Sequence, residues 1–231
     1  MRVARIVLIV VVILGGLFIA ADRIAVSVAE NRAANQAKIS EGLSSKPKVS
    51  IEGFPFLTQA AFGKLDEVKV TANDIAAGDG DQTVRIENFH ADLHGVKLSD
   101  SYRRAVADSA DGLAFITYAD LTKAAPSWLA ISSAGPAADG TSRVKLTGTW
   151  HGAKLSVLSE VRVKGDDKIA LHADKLPTAI TALGLENEVR RQIDFTVQLN
   201  HLPAGIGLTS VTTTPDGISV AASGKNVVLA N

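Results

Sequence analysis

The chain contains no cysteine, and it carries no excess charge of either sign: 24 Lys and Arg face 24 Asp and Glu over 231 residues. Without thiols there is no disulfide framework and no structural zinc site of the thiolate kind. Balanced charge with no basic run removes the electrostatic footprint of a nucleic-acid binder, whose affinity comes largely from neutralised phosphates. Aromatic residues are scarce, at 5%, so any Phe cluster needs a reason. Catalytic signatures are also missing. There is no phosphate-binding loop, no histidine pair on a predicted helix and no dinucleotide fingerprint. Gly217-Ile218-Ser219-Val220-Ala221 lacks the last glycine of a nucleophile elbow and falls on a predicted strand. The expectation is a protein that is not an enzyme and uses no cofactor.

Metal binding fails on geometry. His90, Asp92 and His94 share one face of a predicted strand. Strand residues four apart are separated by about 13 Å, too far for one ion with ligands at ~2 Å. They read as the wet face of a sheet. Asp79-Gly80-Asp81 resembles the opening of a calcium loop, but the twelfth position is His90 rather than an acid. A hairpin turn is the better account.

What the chain does have is a long hydrophobic run. Ile6 to Ala21 is apolar without interruption, preceded by Arg2 and Arg5 and followed by Asp22-Arg23. As a helix it is about 24 Å long, short of the ~30 Å hydrocarbon core of a bilayer. Val3 and Ala4 with a snorkelling Arg5, and Ile24 to Val26 beyond the polar pair, lengthen it. It is a retained anchor, a signal sequence cleaved near Ala25-Val26-Ser27 or Ser27-Val28-Ala29, or a buried core helix. Arg23, Arg32 and Lys38 follow the run, so basic residues at both ends leave orientation undecided by charge. The very short N-terminal tail favours a domain outside the cytoplasm. The expected location is the cell membrane as a single-pass protein, or the exterior after cleavage.

Residues 1–21 are thus predicted as a signal-anchor helix, 22–45 as a helical connector and 46–231 as one β-rich domain. The connector has no proline, and Gly42 with Ser44-Ser45 stops it. Its apolar stripe is imperfect, which fits either a solvated spacer or a helix packed on the domain. From Lys48 the period becomes two. Val68, Val70 and Ala72 alternate with Lys69 and Thr71; Val84 and Ile86 with Arg85 and Glu87; Val144 and Leu146 with Arg143 and Lys145. Val161 and Val163, Ile169 and Leu171, and Ile218 and Val220 repeat the pattern. These are antiparallel strands with one apolar and one wet face. Turns are expected at residues 78–81, 165–167 and 215–217.

One strand slips phase. Its apolar parity is even at Val84 and Ile86, odd at Phe89, Ala91 and Leu93, and even again at Val96 and Leu98. Bulges near Asn88 and Gly95 would bend the strand twice and keep its apolar residues on one face. Helix is expected in short pieces: Thr58 to Phe62, Ala119 to Ala124, and Pro177 to Ile193 with a break at Gly184. Few helices are therefore available to cover a wide apolar sheet. Either the sheet closes on itself or it leaves an apolar trough, in which Val70 and Ile86 stand midway.

Val49-Ser50-Ile51-Glu52-Gly53-Phe54-Pro55-Phe56-Leu57-Thr58-Gln59, followed by Gly63 and Leu65-Asp66-Glu67-Val68-Lys69-Val70, is similar to the opening signature of the LmeA-like family of actinobacterial cell-envelope proteins. The order of elements matches as well: apolar N-terminus, helix, the Gly-Phe-Pro-Phe-Leu segment, then a strand-rich domain. The resemblance implies an α+β fold, mainly antiparallel β. Its long curved sheet would wrap around a helix as a single tubular lipid-binding (TULIP/BPI-like) domain. It also implies membrane phospholipid as the partner and a link to assembly of envelope lipoglycans. Phe54, Phe56 and Leu57 would splay from a strand end, since Pro55 fixes its own φ and restricts Phe54. They are either a groove mouth or bilayer wedge, or a plug that closes one end of the core. The rival function is a structural envelope protein that recruits a partner and holds no lipid.

Overall fold

Proline is absent from the first 40 residues, and alanine with other apolar residues dominates them. In the computed structural model they form one helix, α1 (Arg2–Ser40), which runs through the expected 21/22 boundary without a break. The structure describes residues 2–77, 83–99, 104–135, 140–150, 153–174, 176–182, 184–198 and 202–230. The turn expected at 78–81, with its Asp79-Gly80-Asp81, lies outside the described residues. Gly42 ends the helical region with φ of 62°, a left-handed conformation open to glycine. Among the described residues α1 is the one helix long and apolar enough to cross a membrane.

The remaining elements follow in order: β1 (Lys48–Glu52), α2 (Phe56–Ala61), β2 (Lys64–Ala77), β3 (Val84–Ser99), β4 (Arg104–Thr117) and α3 (Tyr118–Ala124). Next come β5 (Leu129–Ser133), β6 (Arg143–Trp150), β7 (Ala153–Lys164) and β8 (Lys168–Ala173). The chain ends with α4 (Thr178–Ala182), α5 (Glu186–Ile193), β9 (Phe195–Gln198), β10 (Ile206–Thr213) and β11 (Gly217–Ala230). The helix expected from Pro177 is indeed broken, and Gly184 at the break has φ of 70°. The fold is α+β with mainly antiparallel sheets and an N-terminal helix, as the alternation predicts.

The strands do not form one long sheet, and here the sequence expectation is corrected. They divide into a six-stranded sheet, β1-β2-β3-β4-β11-β10, and a five-stranded sheet, β5-β6-β7-β8-β9. The reason is local. At Thr117 the chain leaves β4 for α3, and the Thr117 hydroxyl accepts a hydrogen bond from the Asp120 backbone N–H, a helix N-cap. The next five strands then pair among themselves before β10 and β11 rejoin the first sheet.

The phase slip is present, but it is not made by a bulge in one strand. The β2–β3 ladder has Leu65↔Val96 and Val68↔Leu93 on the same register, with no shift between them. The β3–β4 ladder keeps its register past Gly95 as well. Both ladders skip the Gly95 rung. Neighbouring strands change phase together: Leu65 and Val68, Val96 and Leu93, and Ala107 and Ala110 are all buried. Gly95 has φ of 60°, and Asn226 on β11, beside the same line, has φ of 52°. A fold line thus crosses the sheet, and the apolar residues stay on one face on either side of it. Leu93, Val96 and Leu98 accordingly meet in one cluster. A second gap lies opposite Glu87, where Asp74 has φ of 57°.

Two apolar cores result. The first joins the five-stranded sheet, through Leu146, Val157, Val161 and Leu171, to Ile180, Val189 and Ile193 of α4 and α5. It also takes in Leu208, Val211, Ile218 and Val220, the near end of the six-stranded sheet. The second lies at the other end of that sheet. Val26 of α1 and Phe56 of α2 pack there with Leu65, Val68, Leu93, Val96, Ala107 and Val227. The connector is therefore packed on the domain rather than solvated.

Candidate functional site

The six-stranded sheet has one apolar face, and the two cores cover its two ends. Between them run two cross-strand rows. One is Val70↔Ala91↔Gly112↔Ala222 and the next is Ala72↔Phe89↔Ala114↔Val220. Val70 borders the α1 core and Ala222 borders the other. Phe89, Ala91 and Ala114 are half-buried and belong to neither cluster. Ile86, paired with Ile75, extends this apolar strip towards the β2–β3 end and is likewise half-buried outside both cores. Small residues at 91, 112 and 114 keep the strip shallow, and Phe89 supplies its one aromatic surface. Such a strip offers length and apolarity without a fixed polar partner, which is what a flexible acyl chain needs.

α1 borders the strip along the sheet edge. The Ile51 backbone N–H of edge strand β1 donates to Glu30 Oε1 at 2.9 Å, which satisfies one edge donor that would otherwise invite another strand. Further along, Ser44 and Ser45 hydroxyls donate to the Asp74 and Asn73 carbonyls. At the opposite end Asp22, fully buried, accepts the Leu57 backbone N–H at 2.8 Å and pairs with Arg23 at 2.6 Å. The first residue past the apolar run is thus fastened to the Gly-Phe-Pro-Phe-Leu segment.

That segment separates its residues. Phe56 is buried in the α1 core, and Leu57 is half-buried against it. Phe54 is 58% exposed, with the Arg23 guanidinium 5.3 Å from its ring centroid, a cation–π distance. Phe62, just beyond α2, is 82% exposed. Gly53 has φ of 96°, and a Cβ there would run into the Gln59 side chain. That amide donates to the Glu52 carbonyl and accepts from Asp66 N–H, closing the turn. Of the five residues singled out in the sequence, Phe56 and Leu57 meet at the α1 core. Val70 touches its edge, Ile86 lies on the open strip, and Phe54 faces outwards. Asp22 and Phe62 were not singled out. An acid at the end of an apolar run reads as an ordinary flank, and its burial needs the tertiary partner.

The opposite face of the sheet is mixed, with His90 and Asp92 beside the exposed Leu113. His90 Nδ1 lies 3.2 Å from Thr71 Oγ1 and Nε2 lies 3.1 Å from Asp92 Oδ2, on an exposed strand surface. Among the described residues no group of three or more His, Asp and Glu could hold a metal ion. On the sheet and its α3 junction two carboxyls, Asp108 and Asp120, are held below the usual carboxylate range. Asp108 is lowered chiefly by its hydrogen bond from Lys97, at 2.6 Å, against partial burial, with the charges of Lys97 and Lys64 adding. Asp120 is lowered first by the Thr117 hydroxyl, against burial, and then by Lys123 and Arg85. Both are structural ion pairs. An open cleft of about 460 Å³ lies where Asp166 of the β7–β8 turn meets β10, lined by Gly205, Ile206, Thr209 and Ser223. Its mixed lining does not suit an acyl chain.

Nothing among the curated proteins, and nothing among the solved structures, matches the chain. A family model does, over residues 20–223, which include the second half of α1, the five-stranded sheet, the six-stranded sheet up to the middle of β11, and the whole apolar strip. The chain belongs to the LmeA-like phospholipid-binding family.

Proposed function

We propose that this protein binds phospholipid at the cell envelope, anchored by residues 1–21 with residues 46–231 outside the cytoplasm. An acyl chain lies along the strip formed by Val70, Ile86, Phe89, Ala91 and Ala114, with the buried Ala72 beneath it. The observation that carries this reading is the apolar face left between two cores that close only the ends of the sheet. Each buried methylene contributes ~0.8 kcal/mol, so a dozen outweigh much of the cost of immobilising the chain. The site then needs no catalytic group, and the protein works as a lipid carrier or holder in a tubular lipid-binding fold. Family membership supports lipid as the partner. A role in lipoglycan assembly is the part of the proposal that lies furthest from the site itself.

The rival is a structural envelope protein without lipid. It draws support from α1, whose Ala25, Val26 and Ala29 fill part of the sheet's face with the protein's own side chains. Lipid extraction separates the two. The full chain and its Ile86→Asp variant are purified in the same detergent, and bound phospholipid is counted by mass spectrometry. Annular lipid on α1 is common to both. A carrier is expected to lose lipid on substitution while its circular dichroism is retained. Equal lipid in two folded proteins supports the structural reading.

A further inference from the structure

The N-terminal helix has two unlike stretches. Its large apolar residues from Val3 to Ile19 are all exposed, whereas Asp22, Val26 and Ala34 are buried. The change falls at Asp22, whose carboxylate accepts the Leu57 N–H. Exposure on all sides therefore ends where the β1–α2 turn is fastened, while Ile24 and Val28 on the outer side of the helix stay exposed beyond it. Two aromatic side chains flank that point. Phe54 precedes α2, is 58% exposed and lies under Arg23; Phe62 follows α2 and is 82% exposed. α2 has six residues, so at 1.5 Å per residue about 9 Å of helix separates its ends. Lys64, half exposed, lies two residues beyond Phe62. In water two such Phe rings cost free energy, because nothing removes them from solvent.

We infer that the Phe54–Phe62 face is a bilayer-docking surface, pressed against the headgroup and upper acyl region beside α1 by the Asp22–Leu57 clasp. This rests on the anchor reading of α1 above. The surface is continuous with the helix stretch that needs lipid, so the same bilayer covers both. Arg23, over the Phe54 ring and half exposed, and Lys64, half exposed near Asp108, are the cations close to this surface that can meet lipid phosphates while their stems lie along apolar surface. A rigid clasp holds the domain in one pose on the membrane, unlike a flexible linker, which would let it swing. Phospholipid then meets the α1 end of the sheet first, and the strip through Val70 and Phe89 leads away from it.

The test uses the full chain in vesicles of zwitterionic and anionic phospholipid, with Phe54→Trp and Phe62→Trp made singly. Both positions are exposed, so folding is expected to survive, and the parent's Trp128 and Trp150 provide the background spectrum. Flotation of the vesicles reports on the anchor independently. The docking surface is supported if each introduced indole emits to the blue of a water-exposed one. It must also be quenched by shallow-brominated phospholipid more than the native pair. Chains that float with their vesicles but leave the introduced indoles unquenched overturn the docking surface and leave the anchor standing. Chains that do not float overturn both.

Discussion

Asp120 shows how a single carboxylate organises a junction. It lies almost fully buried where β4 turns into α3, and it accepts from the Thr117 hydroxyl, Lys123 and Arg85. Because its pKa is depressed in the folded state, its contribution is complete above the unfolded carboxylate value and is lost as pH falls through the folded one. Asp120→Asn is therefore expected to lower Tm at neutral pH, with the gap to the parent closing below about pH 4. Thermal melts from pH 7 to pH 3 check this, and a constant gap would mean the carboxylate's charge is irrelevant. Gly95 is a second residue with a defined duty. Its φ of 60° suits glycine, and a Cβ there would collide with the Asp108 carboxylate that Lys97 holds. Gly95→Ala is expected to destabilise by roughly 1–3 kcal/mol in denaturant unfolding. Asn226→Gly, at φ of 52° on the same fold line, is expected to stay within about 0.5 kcal/mol. Equal effects at the two sites would remove the fold line as an explanation.

At the level of elements, legibility followed periodicity. β6, β7, β8 and β11 declare themselves by alternation, β2 and β3 by alternating runs on either side of a phase change, and the α4–α5 break by one glycine. β4 does not, because Arg104 to Thr117 changes phase at Asp108-Ser109 and carries Gly112 on its inner face. The irregular pairing expected near Asn88 and Gly95 is present as skipped rungs, but not as bulges in β3 alone, for a related reason. A phase change seen in one strand looks like an inserted residue, but when the neighbours change at the same rung no register is lost. The partition into two sheets was also hidden, since alternation says which face is apolar and nothing about which sheet holds the strand. α1 was legible as a helix, but its packing side was not. That side is made of Ala25, Val26, Ala29 and a buried Asp22, small residues and an acid that form no visible stripe. Val26→Asp is expected to cost about 3 kcal/mol or more, as an unpaired carboxylate enters the core. Unfolding followed by circular dichroism measures it, and a neutral result would make the connector a mere spacer.

For the whole molecule, the two cores set the ends of a surface, and the proposed lipid site is the strip between them. The five-stranded sheet closes one end and α1 with α2 closes the other. The sequence already pointed to lipid through the Gly-Phe-Pro-Phe-Leu signature, yet the residues of the strip itself left little trace. An acyl chain asks only for Val, Ile, Ala and Phe, which are also the residues of any core. The proposed site emerges only when the strand registers are set beside the two cores, which leave Phe89, Ala91 and Ala114 outside both. The measurement that goes straight to this point is photocrosslinking of the full chain in vesicles containing a phospholipid with a diazirine midway along one acyl chain, followed by peptide mapping. Adducts are expected on the strip, at Val70, Ile86, Phe89 or Ala91, in addition to those that α1 collects from the surrounding bilayer. Adducts confined to residues 3–21, with the sheet unlabelled, would contradict a lipid held by the domain.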